Sequence, residues 1–139
     1  MTGMKPRLRS MLTAGLLAAA VPLMVPELAS AATAHDGTYH VSGGLFNAST
    51  VNTPMYGTAT TARTCVRVQG SPGSYGWTIS MIWYDGGRNK ILWQLSGRST
   101  GTVCSPQRRL RCRCGPRIYD SITAHNLASI HGWWREYTN

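Results

Sequence analysis

Three consecutive stretches decide the fold: WTISMIWY at residues 77–84, DGGRN at 85–89 and KILWQL at 90–95. In the first, Trp77, Ile79, Met81 and Trp83 fall on one face, and Thr78, Ser80, Ile82 and Tyr84 on the other. A period of two marks a strand with one strongly apolar face. In the third, Ile91, Trp93 and Leu95 alternate with Lys90, Leu92 and Gln94. Asp85-Gly86-Gly87 stands between them, where glycine supplies the positive φ of a tight connection. The whole reads as a β-hairpin. Pairing of Trp83 with Ile91 or Trp93 is expected to hold its register, at about 0.2–1 kcal/mol per pair. The tryptophan series reads as core, which leaves Tyr84 and Leu92 on the second face as candidates for stacking on a sugar or a base.

Outward from the hairpin the chain reads as more short strands. TCVRVQ (64–69) places Val66 and Val68 on one side and Cys65 and Arg67 on the other, and Gly70-Ser71-Pro72-Gly73-Ser74 turns into the hairpin. GTVCS (101–105), RIYDSITA (117–124) and SIHGWWREYT (129–138) follow, and a first strand is expected at about 37–42. Asn52-Thr53-Pro54 marks a turn, and AHNLASI (124–130) is the one place where a single helical turn could form. Strands punctuated by turn signals every ten or so residues predict an all-β fold, an antiparallel sandwich or small barrel.

The chain opens with Lys5, Arg7 and Arg9, an apolar run from Met11 to Met24, and two small-x-small sites ending at Ala31 and Ala34. That order reads as a secretory signal peptide over 1–34, followed by one β-rich domain over 35–139 and a secreted, extracellular location. The run is too short, and too broken by Pro22 and Pro26, for a membrane span. The remaining chain carries eleven basic side chains against four acidic ones (Asp36, Asp85, Asp120 and Glu136), a formal charge of +7. Such a balance favours encounters with anionic partners.

In an exported protein four cysteines read as disulfide partners. Cys65 with Cys104 is the expected pair, since both lie in strands flanking the hairpin. Closing that roughly 40-residue loop contributes about 4 kcal/mol in the chain-entropy account. Cys112 and Cys114 are too close together for an unstrained bridge, and their spacing is not that of a structural zinc site. Both lie within the run RRLRCRCGPR (108–117), with Arg108, Arg109, Arg111, Arg113 and Arg117. Five guanidinium forks in ten residues suit bidentate capture of phosphate or sulfate. The alternatives are a solvated loop, or a GC-rich frame read out of register, which peptide mapping across 104–120 decides.

No phosphate-cradling loop, cofactor signature or metal-ligand spacing is read in the chain. The leading expectation is a small secreted, non-catalytic binding protein, directed at an anionic extracellular or cell-envelope polymer or at another protein, as an inhibitor or toxin would be. Its expected contacts are the five arginines and Tyr84, with no catalytic residue, metal or cofactor. The alternative is a small hydrolase of ribonuclease type drawing its general acid and base from His125, His131 and Glu136, which lie near one another in sequence, with Asp120 orienting a histidine. A structural role in the envelope is a third class.

Overall fold

The computed structural model describes residues 33–58, 60–110 and 117–139. Within them lie β1 (Thr33–Ser42), β2 (Ser49–Asn52), β3 (Tyr56–Gly57), β4 (Thr61–Ser71), β5 (Trp77–Asp85), β6 (Arg88–Gly97), β7 (Gly101–Cys104), β8 (Arg108–Arg109), β9 (Arg117–Ala124) and β10 (Ser129–Thr138). They form two antiparallel sheets. One has the order β1-β10-β4-β7, with β8 also on β4; the other has β2-β9-β5-β6, with β3 also on β9. The fold is the all-β sandwich the alternation predicts. Among the described residues no helix is long and apolar enough to cross a membrane.

The β5–β6 hairpin is present, and its two-residue connection is Gly86-Gly87, with φ of 55° and 99°. Positive φ at both positions gives a turn whose twist matches that of the strands it joins. Its register differs from the expected one. Met81 pairs with Trp93 and Ile82 with Ile91, so Leu92 is an extra residue on β6. The bulge shifts every pair nearer the turn, and Trp83 faces Lys90 rather than Ile91 or Trp93. It also turns Leu92 inward, against Ala62, Met81, Leu110 and Ile118. Leu92 is therefore half-buried against the core and not an outward platform.

Each sheet gives its alternate residues to the interior. Trp77, Ile79 and Met81 from β5 and Ile118, Ile122 and Ala124 from β9 face Val66 and Val68 from β4 and Ile130 and Trp134 from β10. Three large rings fit because each lies over a glycine directly opposite it on the next strand. Trp134 pairs with Gly37, Tyr39 with Gly132, and Trp77 with Gly97. A Cβ on Gly37 would sit 2.6 Å from the Trp134 ring, and one on Gly97 would sit 2.5 Å from the Trp77 ring. Over Gly132 the Tyr39 ring reaches past β10, and its hydroxyl donates to the Arg67 carbonyl at 2.9 Å.

Cys65 and Cys104 are bonded as expected, directly opposed on β4 and β7. They lie on the outer face, because Val66 and Val68 take the inward positions of β4. Other expectations need correcting. β1 and β4 are longer than 37–42 and 64–69, while β2, β3 and β8 are too short or too polar to stand out in the sequence. No helical turn forms at 124–130. Asn126 and Leu127 make a turn between β9 and β10, with Leu127 at φ 64°. Cys112, Cys114, Arg111 and Arg113 lie outside the described residues, as does most of the leader.

Gly97→Ala is expected to destabilise the fold by about 1–3 kcal/mol, since the added methyl overpacks Trp77. Thermal unfolding of the variant checks this, and an unchanged midpoint would show that the ring does not need the glycine.

Candidate functional site

Two core clusters occupy the sandwich, and a polar layer lies between them. Towards the 72–76 loop pack Val66, Val68, Trp77, Ile79, Ile122 and Ile130. Towards the β5–β6 turn pack Ala62, Met81, Leu110 and Ile118. In between, the inward positions of β4, β9 and β10 are Thr64, Asp120 and Glu136, all fully buried. Thr64 Oγ1 donates to Asp120 Oδ2, and Thr53 Oγ1 donates to Glu136 Oε1 at 2.5 Å. The Asp120 backbone N–H donates to Thr53 Oγ1 at 2.8 Å, and the Thr53 N–H donates to the Asp120 carbonyl at 2.9 Å. With both carboxylates ionised, Asp120 Oδ1 and Glu136 Oε2 face no donor. A proton held between the two side chains supplies one.

Burial, then the neighbouring Asp120 charge, pushes the Glu136 carboxyl up to about 9. Burial pushes Asp120 up to about 6, opposed by its hydrogen bonds from Thr64 and Glu136. The pair titrates as a unit and keeps one proton at neutral pH. Both carboxyls are sealed from solvent, so this layer ties the sheets together and offers no substrate a path. Asp120 is committed here and orients no histidine.

The histidines of the hydrolase alternative are not brought together. His125 Nε2 is 2.8 Å from Thr78 Oγ1 on the outer face of the β5–β9 sheet. His131 stands on the outer face of the other sheet, paired with His40, their ring centroids 6.3 Å apart. Gly97-Arg98-Ser99-Thr100-Gly101 has the spacing of a nucleophile elbow, a match overlooked in reading the sequence. It carries the chain from β6 in one sheet to β7 in the other instead of from a strand to a helix, and the Ser99 carbonyl accepts from Trp77 Nε1 at 2.9 Å. Among the described residues no group of three His, Cys, Asp or Glu is placed to hold a metal.

Five basic residues stand on strand ends at one end of the sandwich. Arg108 and Arg109 pair with Ala62 and Thr61 at the start of β4. Leu110, next along, packs with Met81 and Ile118, so β8 closes the end of the sandwich where β9 begins with Arg117. Tyr84 is the sheet partner of both Arg117 and Asn89, and Arg88 and Lys90 enter β6 beside it. Arg88, Lys90, Arg108, Arg109 and Arg117 are all exposed, and Tyr84 is half-buried. Lys90 Nζ lies 5.9 Å from the centre of the Trp83 ring. Arg88 and Lys90 were missed as site residues because they are distant in sequence from 108–117; only strand pairing brings them near.

Asp36 is salt-bridged to Arg135 at 3.4 Å on the outer face of the β1–β10 sheet. An apolar groove of about 210 Å3 runs between Tyr39 and Trp134 on one side and Val51 and Pro54 on the other. It carries no charged lining residue.

No protein-family model matches the chain, and no curated protein matches it. Among solved structures it is similar to one described as "Crystal structure of PirA", at 17% identity and a TM-score of 0.38, covering 76% of this chain and 93% of that one. A likeness so distant carries no argument.

The buried pair sets a pH dependence. Both carboxyls bind protons more tightly folded than unfolded, where ordinary values are about 4. Their contribution is therefore complete below about pH 4 and is lost as pH rises through the folded values of about 6 and about 9. Unfolding free energy is expected to fall from pH 5 to pH 8, and Glu136→Gln is expected to flatten that slope. Denaturant titrations across the range check it; stability that rises with pH would contradict a shared proton.

Proposed function

We propose that the protein is a small secreted, non-catalytic binding domain whose basic end holds an anionic extracellular or cell-envelope polymer. The observation that carries this reading is the gathering of Arg88, Lys90, Arg108, Arg109 and Arg117 at one end of the sandwich. Guanidinium groups suit bidentate capture of phosphate or sulfate, and Tyr84, the sheet partner of Arg117, offers an aromatic surface beside it. Export enters through the leader-like segment 1–34. Thr33 and Ala34 already pair with Thr138 and Tyr137, so cleavage after Ala31 leaves β1 whole.

Binding of this kind is dominated by counterion release and weakens steeply with salt. The protein is expected to be retained on immobilised heparin or teichoic acid and to elute with added salt. Arg108→Glu with Arg109→Glu should elute markedly earlier, its affinity falling less steeply with salt by about one power per lost contact. Retention of this variant equal to that of the parent would remove the basic end from the interaction.

A further inference from the structure

The opposite end of the sandwich is built differently. There the loops 43–48, 72–76 and 125–128 meet, with 98–100 beside them. Gly43 N–H donates to the Ala128 carbonyl at 2.8 Å, and Leu127 N–H to the Gly44 carbonyl at 3.0 Å. His125 N–H donates to the Gly76 carbonyl at 3.0 Å, and Gly76 N–H to the Pro72 carbonyl at 2.9 Å. From this braced base four large apolar side chains project into solvent. Phe46 is 87% exposed, Leu45 63%, Tyr75 62% and Leu127 58%.

Burial in the protein explains none of them. Leu127 is the most telling. It sits at φ 64°, a left-handed conformation that a residue with a Cβ adopts only when its surroundings impose it. The strain aims an apolar side chain outward, where packing returns nothing. Selection for stability alone would place glycine or asparagine there.

We infer that this end docks on a lipid bilayer with anionic headgroups, seating Leu45, Phe46, Tyr75 and Leu127 at the boundary between headgroups and acyl chains. Three features point to a bilayer. Peptide groups near an apolar boundary must be satisfied internally, and at the base of the loops the N–H groups of Gly43, Gly44, Gly76, His125, Leu127 and Ala128 are bonded to loop carbonyls. Four tips on three loops, Leu45 and Phe46 sharing one, offer no continuous surface for a protein partner to match, whereas a fluid boundary needs none. The four loops hold no acidic residue, and exposed Arg98 stands among them to meet a negative headgroup. Phe and Tyr at the tips suit the interfacial zone, where ring and hydroxyl find different surroundings.

Flotation with vesicles of phosphatidylglycerol and phosphatidylcholine tests the proposal. The basic end alone could adsorb to such vesicles, so binding is also read at about 1 M salt, where the screening length is about 3 Å. The parent is expected to remain bound there. Phe46→Ser combined with Leu127→Gly is expected to lower partitioning at least about tenfold, from the loss of two buried apolar side chains. Leu127→Gly alone should unfold at the same or a higher temperature while binding less, a pairing of effects that a structural role cannot give. Binding that vanishes in salt and ignores the loop variants would overturn the proposal. So would the absence of binding at either salt, which would leave the surface to a protein partner.

Discussion

The interaction on which the rest depends is the one between Asp120 and Glu136. It joins the central strands of the two sheets, β9 and β10, at the middle of the sandwich, with Thr53 and Thr64 closing the network on either side. Two carboxyls in an apolar interior are unfavourable unless a proton and hydroxyl donors satisfy them. Such a network is costly to half-satisfy, so it fixes how the sheets lie on each other. It also takes two of the four acidic side chains of 35–139 out of the surface. The exposed surface is therefore more one-sidedly basic than the formal charge of +7 conveys.

That sequestration gives the two ends their characters. The apolar clusters on either side of the polar layer close the sandwich in different ways. Near Met81 and Ile118 closure comes from β8 and the start of β9, which are arginine-rich. Near Trp77 and Ala128 it comes from glycine-rich loops that leave apolar tips outside. In the proposed reading one end meets anionic polymers and the other a bilayer. A domain anchored at its loops would present its arginines away from the membrane.

Much of the fold was legible in the sequence and less of the site. Alternation placed β5, β9 and β10 within a residue or two, because one buried face imposes a period of two. The disulfide followed from strand neighbours on either side of a hairpin. The bulge at Leu92 was not legible, since Ile91, Leu92 and Trp93 fit either face. The aromatic–glycine pairs were hidden because they exist only once register is set: Gly37, Gly97 and Gly132 are 97, 20 and 93 residues from the rings they accommodate. Asp120 looked like a partner for a histidine. A carboxylate at an inward position of an alternating strand, two residues from both Ile118 and Ile122, together with Glu136 flanked in the same way by Trp134 and Thr138, was the signal that it belongs inside. The exposed tips were not legible either: Leu127 sat in a stretch read as a single helical turn, and Leu45 and Phe46 in one assigned to no element.

Amide chemical-shift mapping of the isotopically labelled protein with a short sulfated oligosaccharide tests the central claim most directly. The account predicts perturbations at 84–90, 108–109 and 117, with the loops 43–48, 72–76 and 125–128 unchanged. Perturbations centred on those loops, or on Trp133 and Arg135 across the other sheet, would contradict it.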